Sequence, residues 1–234
     1  MSKVLTLNLE GPLQSWGDHS RFLRRESLAF PTKSGVIGLI LCAMGLNGTQ
    51  EQLLSELSLG RMEVWGYGPS DRYLSVMEDF HMVGSGYDDA DPWETLFIPK
   101  KADGKKANGG PKITRREYLQ DAKFAVFLEV PDNRVEEIQE AIKSPTWDLY
   151  LGRKCCAPSA PIFVGIYEDS KQATSSFNQF IKIRNSPVQE FKIYFKVTES
   201  DEMDEGSILL QDVPVKFGKE KVYKNRFVRF EKMP

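Results

Sequence analysis

Phe30-Pro31-Thr32-Lys33-Ser34-Gly35-Val36-Ile37-Gly38-Leu39-Ile40-Leu41-Cys42-Ala43-Met44-Gly45 is the stretch around which the rest of the chain has to be arranged. Pro31 and Thr32 mark a helix start, with Thr32 or Ser34 placed to cap free backbone N–H groups. From Val36 to Leu46 nearly every residue is apolar or glycine, so the helix must be buried on several sides. The run falls short of the ~20 apolar residues that cross a bilayer. Gly35 and Gly38 lower helix propensity and are expected to allow close packing against a strand. Lys33 and the N–H groups of the first turn together suit an anion; the competing reading is a capped core helix with a solvated lysine. The order G-x-x-x-x-G-K-[ST] of a nucleotide-binding loop does not occur here.

Outward from this helix the pattern is mixed α and β. Lys3–Leu9 alternates, with Leu5, Leu7 and Leu9 on one face and Val4, Thr6 and Asn8 on the other. Glu10-Gly11-Pro12 ends that strand, and the loop to Phe30 carries Gln14, Trp16, His19, Arg21, Arg24 and Arg25. Leu53, Leu54 and Leu57 predict a helix over 50–59. Strands are predicted over 61–67, 72–83, 124–130, 162–167, 192–198 and 222–230, and a helix over 131–143 that Pro131 and Asp132 open. This order is α+β and suits a ferredoxin-like, RRM-like core. Between the strands at 72–83 and 124–130 lies a long stretch rich in glycine, with Lys100, Lys101, Lys105, Lys106, Lys112, Arg115 and Arg116 at its basic end. It reads either as a protruding hairpin that grips a polyanion or as a solvated loop.

The 234 residues suit one large domain or two small ones, and 41% hydrophobic residues can build a core. The formal net charge of −2 gives no support for global nucleic-acid binding, so any such binding must be local. One local patch is C-terminal: the acidic run Glu199–Glu205, expected as a turn or mobile loop, precedes Lys216, Lys219, Lys221, Lys224, Arg226 and Arg229. Phe217, Tyr223, Phe227 and Phe230 interleave these cations. Cations beside rings suit single-stranded RNA, although the RRM signature is absent and a lysine-rich edge strand is an equal reading. Three cysteines, Cys42, Cys155 and Cys156, form no C-x-x-C pair and no disulfide framework. The expectation is a chain without secretory leader in a reducing cytoplasm, with no cofactor and no metal site.

Catalytic constellations are sparse. The two histidines are His19 and His81. His81 in Asp79-Phe80-His81 can serve as acid or base, with Tyr118 or a lysine as partner in metal-independent RNA cleavage; its other reading is structural. Neither a G-x-S-x-G elbow nor H-E-x-x-H occurs.

Gly11-Pro12-Leu13-Gln14-Ser15-Trp16-Gly17, followed by Phe30–Leu39, resembles the opening of the CasD family, the CRISPR-associated RAMP subunit of the type I-E Cascade complex. The resemblance continues in Asp79-Phe80-His81-Met82-Val83, Arg116–Phe124, Tyr150-Leu151-Gly152-Arg153-Lys154-Cys155-Cys156 and Pro161–Gly165. Pro214, Phe217 and Tyr223 fit the C-terminal spacing. It implies a single RAMP domain over 1–234, with a ferredoxin-like palm, a long β-hairpin thumb insertion at 84–115 and C-terminal strands at 192–234. It further implies a non-catalytic subunit that holds and caps the 5′ handle of CRISPR RNA (crRNA). Such a subunit touches the backbone subunit and the large PAM-reading subunit, meets target DNA through the complex, and has no membrane contact. The alternative is an endoribonuclease that processes repeat RNA, as in the related type I-C. Under this resemblance Lys33, Arg115, Arg116, Arg153 and Lys154 are phosphate candidates, with Ser34 beside them. Trp16 and Tyr118 are stacking candidates, Trp16 having a second reading as core. Gln14 and His81 are base-edge or sugar contacts. Trp93, Leu96, Phe97 and Ile98 in the thumb are expected to pack on the neighbouring backbone subunit, becoming ordered there.

Overall fold

The structure is a computed structural model of the full chain and describes residues 2–17, 23–69, 74–83, 90–93, 100, 102–105, 112–203 and 205–233. The main sheet has seven strands. They are β1 (Ser2–Glu10), β6 (Met62–Pro69), β9 (Lys123–Pro131), β10 (Phe163–Tyr167), β11 (Phe191–Ser200), β12 (Ser207–Lys216) and β13 (Val222–Lys232). Their order is β10-β1-β9-β6-β11-β13-β12, and every neighbouring pair is antiparallel. The helices α1 (Lys33–Ala43) and α2 (Glu51–Ser58) lie in the crossover from β1 to β6, and α3 (Val135–Lys143) in that from β9 to β10. A further helix, α4 (Ser170–Arg184), joins β10 to β11.

A second sheet is built on β8 (Lys112–Gln120). The strand β7 (Ser75–Val83) pairs with it antiparallel, β2 (Leu13–Gln14) antiparallel near its end, and β4 (Arg24–Arg25) parallel near its middle. The short pair β3 (Trp16–Gly17) and β5 (Ser27–Leu28) completes the sheet structure.

Period-two alternation divides the main sheet between two cores. Leu5, Leu7 and Leu9 of β1 join Phe124, Val126 and Leu128 of β9 under α1, α2 and α3. Val4, Trp65, Tyr67, Ala125 and Phe127 face the other way, against Ala173, Phe177 and Ile181 of α4. Phe177 stands edge-on to Tyr67, Phe127 and Trp65, with ring centroids 5.3, 5.8 and 6.4 Å away. Each such fully buried large side chain contributes about 1.5–3 kcal/mol of transfer free energy. Helix α1 is buried on most sides, as its composition requires: Val36, Ile37, Leu39, Ile40 and Leu41 all lie in the core, while Ser34, Gly38 and Cys42 are half-exposed along one face. Thr32 is its N-cap and accepts the Gly35 N–H at 3.2 Å.

Some elements differ from expectation, and others lie where the sequence carried no assignment. The residues before Phe124 form a strand, β8, because the charged pattern Arg115-Arg116-Glu117 sits on a ribbon held by β7 over its full length. The segment before β11 is a 15-residue helix. The residues after the acidic run form an edge strand, β12, which carries Pro214. The helix expected over 131–143 begins with a 3-10 turn, Asp132–Arg134, before α3. Gly35 does pack closely against a strand residue, the ring of Trp16 in β3, whereas a Cβ on Gly38 would meet nothing within 4 Å. Most of the expected thumb, including Leu96, Phe97 and Ile98, lies outside the described residues, as do His19 and Arg21; Trp93 is described and 76% exposed. Among the described residues no helix is long and apolar enough to cross a membrane.

Candidate nucleic-acid interface

Pairing of β4 with β8 brings two arginine pairs into register, Arg24 with Arg115 and Arg25 with Arg116. Carboxylates hold part of this row. Arg24 pairs with Glu26 and Glu117 at 3.2 Å each, and Arg115 with Glu78 at 3.5 Å. Arg25 and Arg116 have no acidic partner among the described residues. The loop after α3 closes against the row. Arg153 donates to the carbonyl oxygens of Arg25 (2.9 Å) and Glu117 (3.2 Å), and its guanidinium lies 4.8 Å over the Tyr118 ring. Gly152 makes this approach possible: its φ is +89°, and a Cβ there would run into the Ser15 carbonyl. Lys154 is exposed beside it.

The anion-binding end of α1 is occupied by the protein itself. The Lys33 N–H donates to Asp212 Oδ2 at 2.7 Å, so a carboxylate already sits at the helix N-terminus. Arg226 grips Asp212 in bidentate fashion (2.7 and 2.8 Å) and also reaches Glu199 at 2.6 Å. The Lys33 ammonium is 2% exposed and pairs with Glu199 at 3.0 Å. Burial draws the Lys33 pKa below its ordinary value against the pull of Glu199. Burial also opposes the charge on Arg226, but Asp212 and Glu199 more than offset it and its pKa is raised. Two cations and two carboxylates therefore cancel, tying α1 to β11, β12 and β13.

Three more expected contacts turn inward. Gln14 is fully buried; its Nε2 donates to the carbonyls of Leu9 (3.0 Å) and Ala122 (2.7 Å), and its Oε1 accepts from Trp16 Nε1 at 3.1 Å. Trp16 is a core residue, its second reading. Tyr118 is buried beneath Arg153, with its hydroxyl 3.6 Å from Cys155 Sγ. The contact readings of Gln14, Trp16, Lys33 and Tyr118 are thus corrected: hydrogen bonds, packing and ion pairs inside the protein use these side chains. Ser34 keeps a half-exposed hydroxyl, 3.5 Å from that of Thr32. His81 contacts the Asp79 carboxylate on the same face of β7. It stands opposite Thr114, so Tyr118 lies four residues further along β8, roughly 13 Å away at strand spacing.

Beside the arginine row two clefts adjoin at the start of α1. One, of about 480 Å³, is lined by Arg25, Ser34, Arg153, Lys221 and Tyr223 among others. The other, of about 520 Å³, runs from Ser34 and Lys221 to Trp147, Tyr150 and Phe217. Arg25 was legible only as a loop cation and Lys221 only as a member of a C-terminal patch, whereas Tyr223 also fitted the family's C-terminal spacing. Trp147 gave no signal beyond its place in a proline-containing loop. A third cleft, of about 580 Å³, surrounds Glu10, Lys123 and Arg184 at the end of the main sheet. Its two cations are both engaged by Glu10, which leaves less charge for an incoming anion. Among the described residues no cluster of His, Cys, Asp and Glu is arranged to hold a metal ion, and all three cysteines are free thiols.

These features define an α/β protein of antiparallel sheets, carrying a cationic row and an aromatic-walled cleft at one helix start. A family model described as CRISPR-associated protein (Cas_Cas5) matches residues 4–229, and the chain belongs to that family. The "CRISPR system Cascade subunit CasD" of Escherichia coli (strain K12) is 30% identical over 186 residues, 76% of this chain and 77% of the relative. A solved structure described as "Crystal structure of Cas protein" shares 27% identity and a TM-score of 0.63, covering 99% of this chain and 95% of that one. One described as "CRISPR RNA-guided surveillance complex" has a TM-score of 0.71 at 24% identity, covering 98% and 90%, which bears on the fold.

Proposed function

We propose that this chain is the non-catalytic, RNA-binding subunit of a cytoplasmic type I-E CRISPR surveillance complex, holding and capping the 5′ handle of crRNA. The observation that carries this reading is the cationic cleft of Arg25, Arg153 and Lys221 at the start of α1, in a chain 30% identical to a Cascade subunit. Exposed cations beside half-exposed rings suit a single strand whose phosphates are paired and whose bases are splayed. The order β10-β1-β9-β6 with helices in two crossovers supports reading the palm as ferredoxin-like, and the β7–β8 ribbon supports a hairpin thumb rising from it. Handle RNA would run along the arginine row, with Arg115, Arg116 and Lys154 at its flank. Trp93 and the rest of the thumb would meet the backbone subunit, and the large PAM-reading subunit would be a second partner.

The test is co-purification with neighbouring subunits and sequencing of bound RNA. The expected result is a repeat-derived 5′ end protected by this subunit. Arg25→Gln and Lys221→Gln should each flatten the slope of log affinity against log salt by about 0.7 for a single strand. Unchanged slopes in both variants would return these cations to the role of solvated surface charge. Lys33 is not a useful probe of phosphate contact, because removing it opens a buried ion pair instead.

A further inference from the structure

We propose that the aromatic-walled cleft beside α1 is a pocket for one unstacked nucleobase, whose ring lies over the bare backbone of Gly38. The inference rests on the RNA-holding reading and adds the place and chemistry of base capture. It starts from a glycine that the protein's own packing does not explain. Gly38 sits in the middle of α1, between Ser34 and Cys42 on its half-exposed face, where glycine weakens the helix. Gly35, one turn earlier, has a reason to lack a side chain, since a Cβ there would stand 2.9 Å from the Trp16 ring. At Gly38 the same position is open, with nothing within 4 Å. The helix therefore presents bare backbone to the cleft at Gly38, between the side chains of Ser34 and Cys42, which allows close approach of a planar group.

The walls are aromatic. Trp147 is 44% exposed, so part of its indole is free to cover a planar group in the cleft. Phe217 and Tyr223 meet edge-to-face at 6.5 Å on another side, and Tyr150 is half-buried in the same lining. The cleft of about 520 Å³ is continuous with the cationic one through Ser34, Lys221 and Tyr223. A ring site joined to Arg25, Arg153 and Lys221 matches a ligand with a planar ring attached to an anion. That is a nucleotide of a single strand, with stacking in one cleft and phosphate in the other. An aromatic side chain from a neighbouring protein would fill the ring site but leave the cations without a counter-charge.

The test uses the full-length protein and fluorescence anisotropy with labelled octamers, r(A)8 and r(U)8, and an abasic octamer with the same phosphates. The wild-type protein should prefer the base-bearing RNA by about tenfold or more, the scale of one stacked base. Gly38→Leu should bring binding down to the abasic level while leaving the salt slope unchanged. Its melting temperature should not fall, because leucine is the better helix former and enters open space. Trp147→Ala should lose the same preference by removing a wall rather than filling the pocket, which keeps the test valid if Gly38→Leu folds poorly. Retained base preference in both variants overturns the pocket. A wild-type protein that binds base-bearing and abasic RNA equally overturns it too, leaving the RNA-holding reading intact. If no RNA binds, alone or in the purified complex, both readings fall. If Gly38→Leu leaves RNA binding unchanged but blocks capture of purified neighbouring subunits, the occupant is protein and the proposal is wrong.

Discussion

At the residue scale the decisive feature is how buried charge is neutralised. Lys33, Arg226, Asp212 and Glu199 form a closed set in which each charge has at least one opposite partner. Removing one member strands the others in a low dielectric, so Arg226→Leu should cost about 3–5 kcal/mol in urea unfolding. A loss below about 1 kcal/mol, as for a surface pair, would show that the set is hydrated. Glu10 offers a pH handle. Burial pushes its carboxyl up, but hydrogen bonds from Arg184 and Lys123 outweigh this and hold it below its ordinary 4.5. Its pKa is thus lower folded than unfolded. The stabilisation is present above about 4.5 and is lost as pH falls through the folded value. Wild-type stability should drop in that acid window, and Glu10→Gln should flatten the drop while lowering stability at neutral pH. Acid profiles that superimpose would assign the dependence to other carboxylates.

At the scale of elements, α4 matters most for how the sheet can be used. An RRM reads RNA on an open sheet face through aromatic side chains. Here the face carrying Trp65, Tyr67 and Phe127 is covered by α4, and Phe177 is inserted among those rings. The rings are core, which leaves the helix-α1 edge and the second sheet to meet ligands. Phe177→Ala should cost about 3–5 kcal/mol, the range for deleting a buried aromatic side chain. It should do so without altering the salt slope of RNA binding. A slope change in that variant would mean that α4 belongs to the interface.

For the whole molecule, a net charge of −2 coexists with a cationic row because screening confines surface fields to about 8–10 Å at physiological salt. An RNA strand meets the arginines locally, whatever the total. Metal-independent cleavage would need an acid and a base on either side of one phosphate. His81 is engaged by Asp79, and Tyr118, its expected partner, is buried at a distance along β8. The purified protein should therefore leave repeat RNA uncut with or without magnesium, as gel analysis over long incubation would show. Site-specific cutting that disappears in His81→Ala would establish the nuclease reading.

Much of this architecture is written locally. Strict alternation in Leu5, Leu7 and Leu9 determined β1, the Thr32 cap and the apolar run determined α1, and Leu53, Leu54 and Leu57 determined α2. The motifs at 11–17, 30–39 and 150–156 carried the resemblance to the family whose model matches residues 4–229. Elements with weak periodicity were not legible. In α4 the apolar residues Ala173, Phe177 and Ile181 are spaced one per turn among polar neighbours, and in β8 charged residues occupy a ribbon. The site was legible in composition and not in assignment. Cations and rings near the C-terminus were visible, but a sequence does not say which of them point outward. Lys33 reads as a helix-start anion ligand until Glu199, 166 residues away, and Asp212, 179 residues away, fold against it. Solvation and pairing of a charge depend on neighbours that only tertiary packing brings together. Hence the helix and its cap were determined by the sequence, while the identity of the anion at its end was decided by the fold.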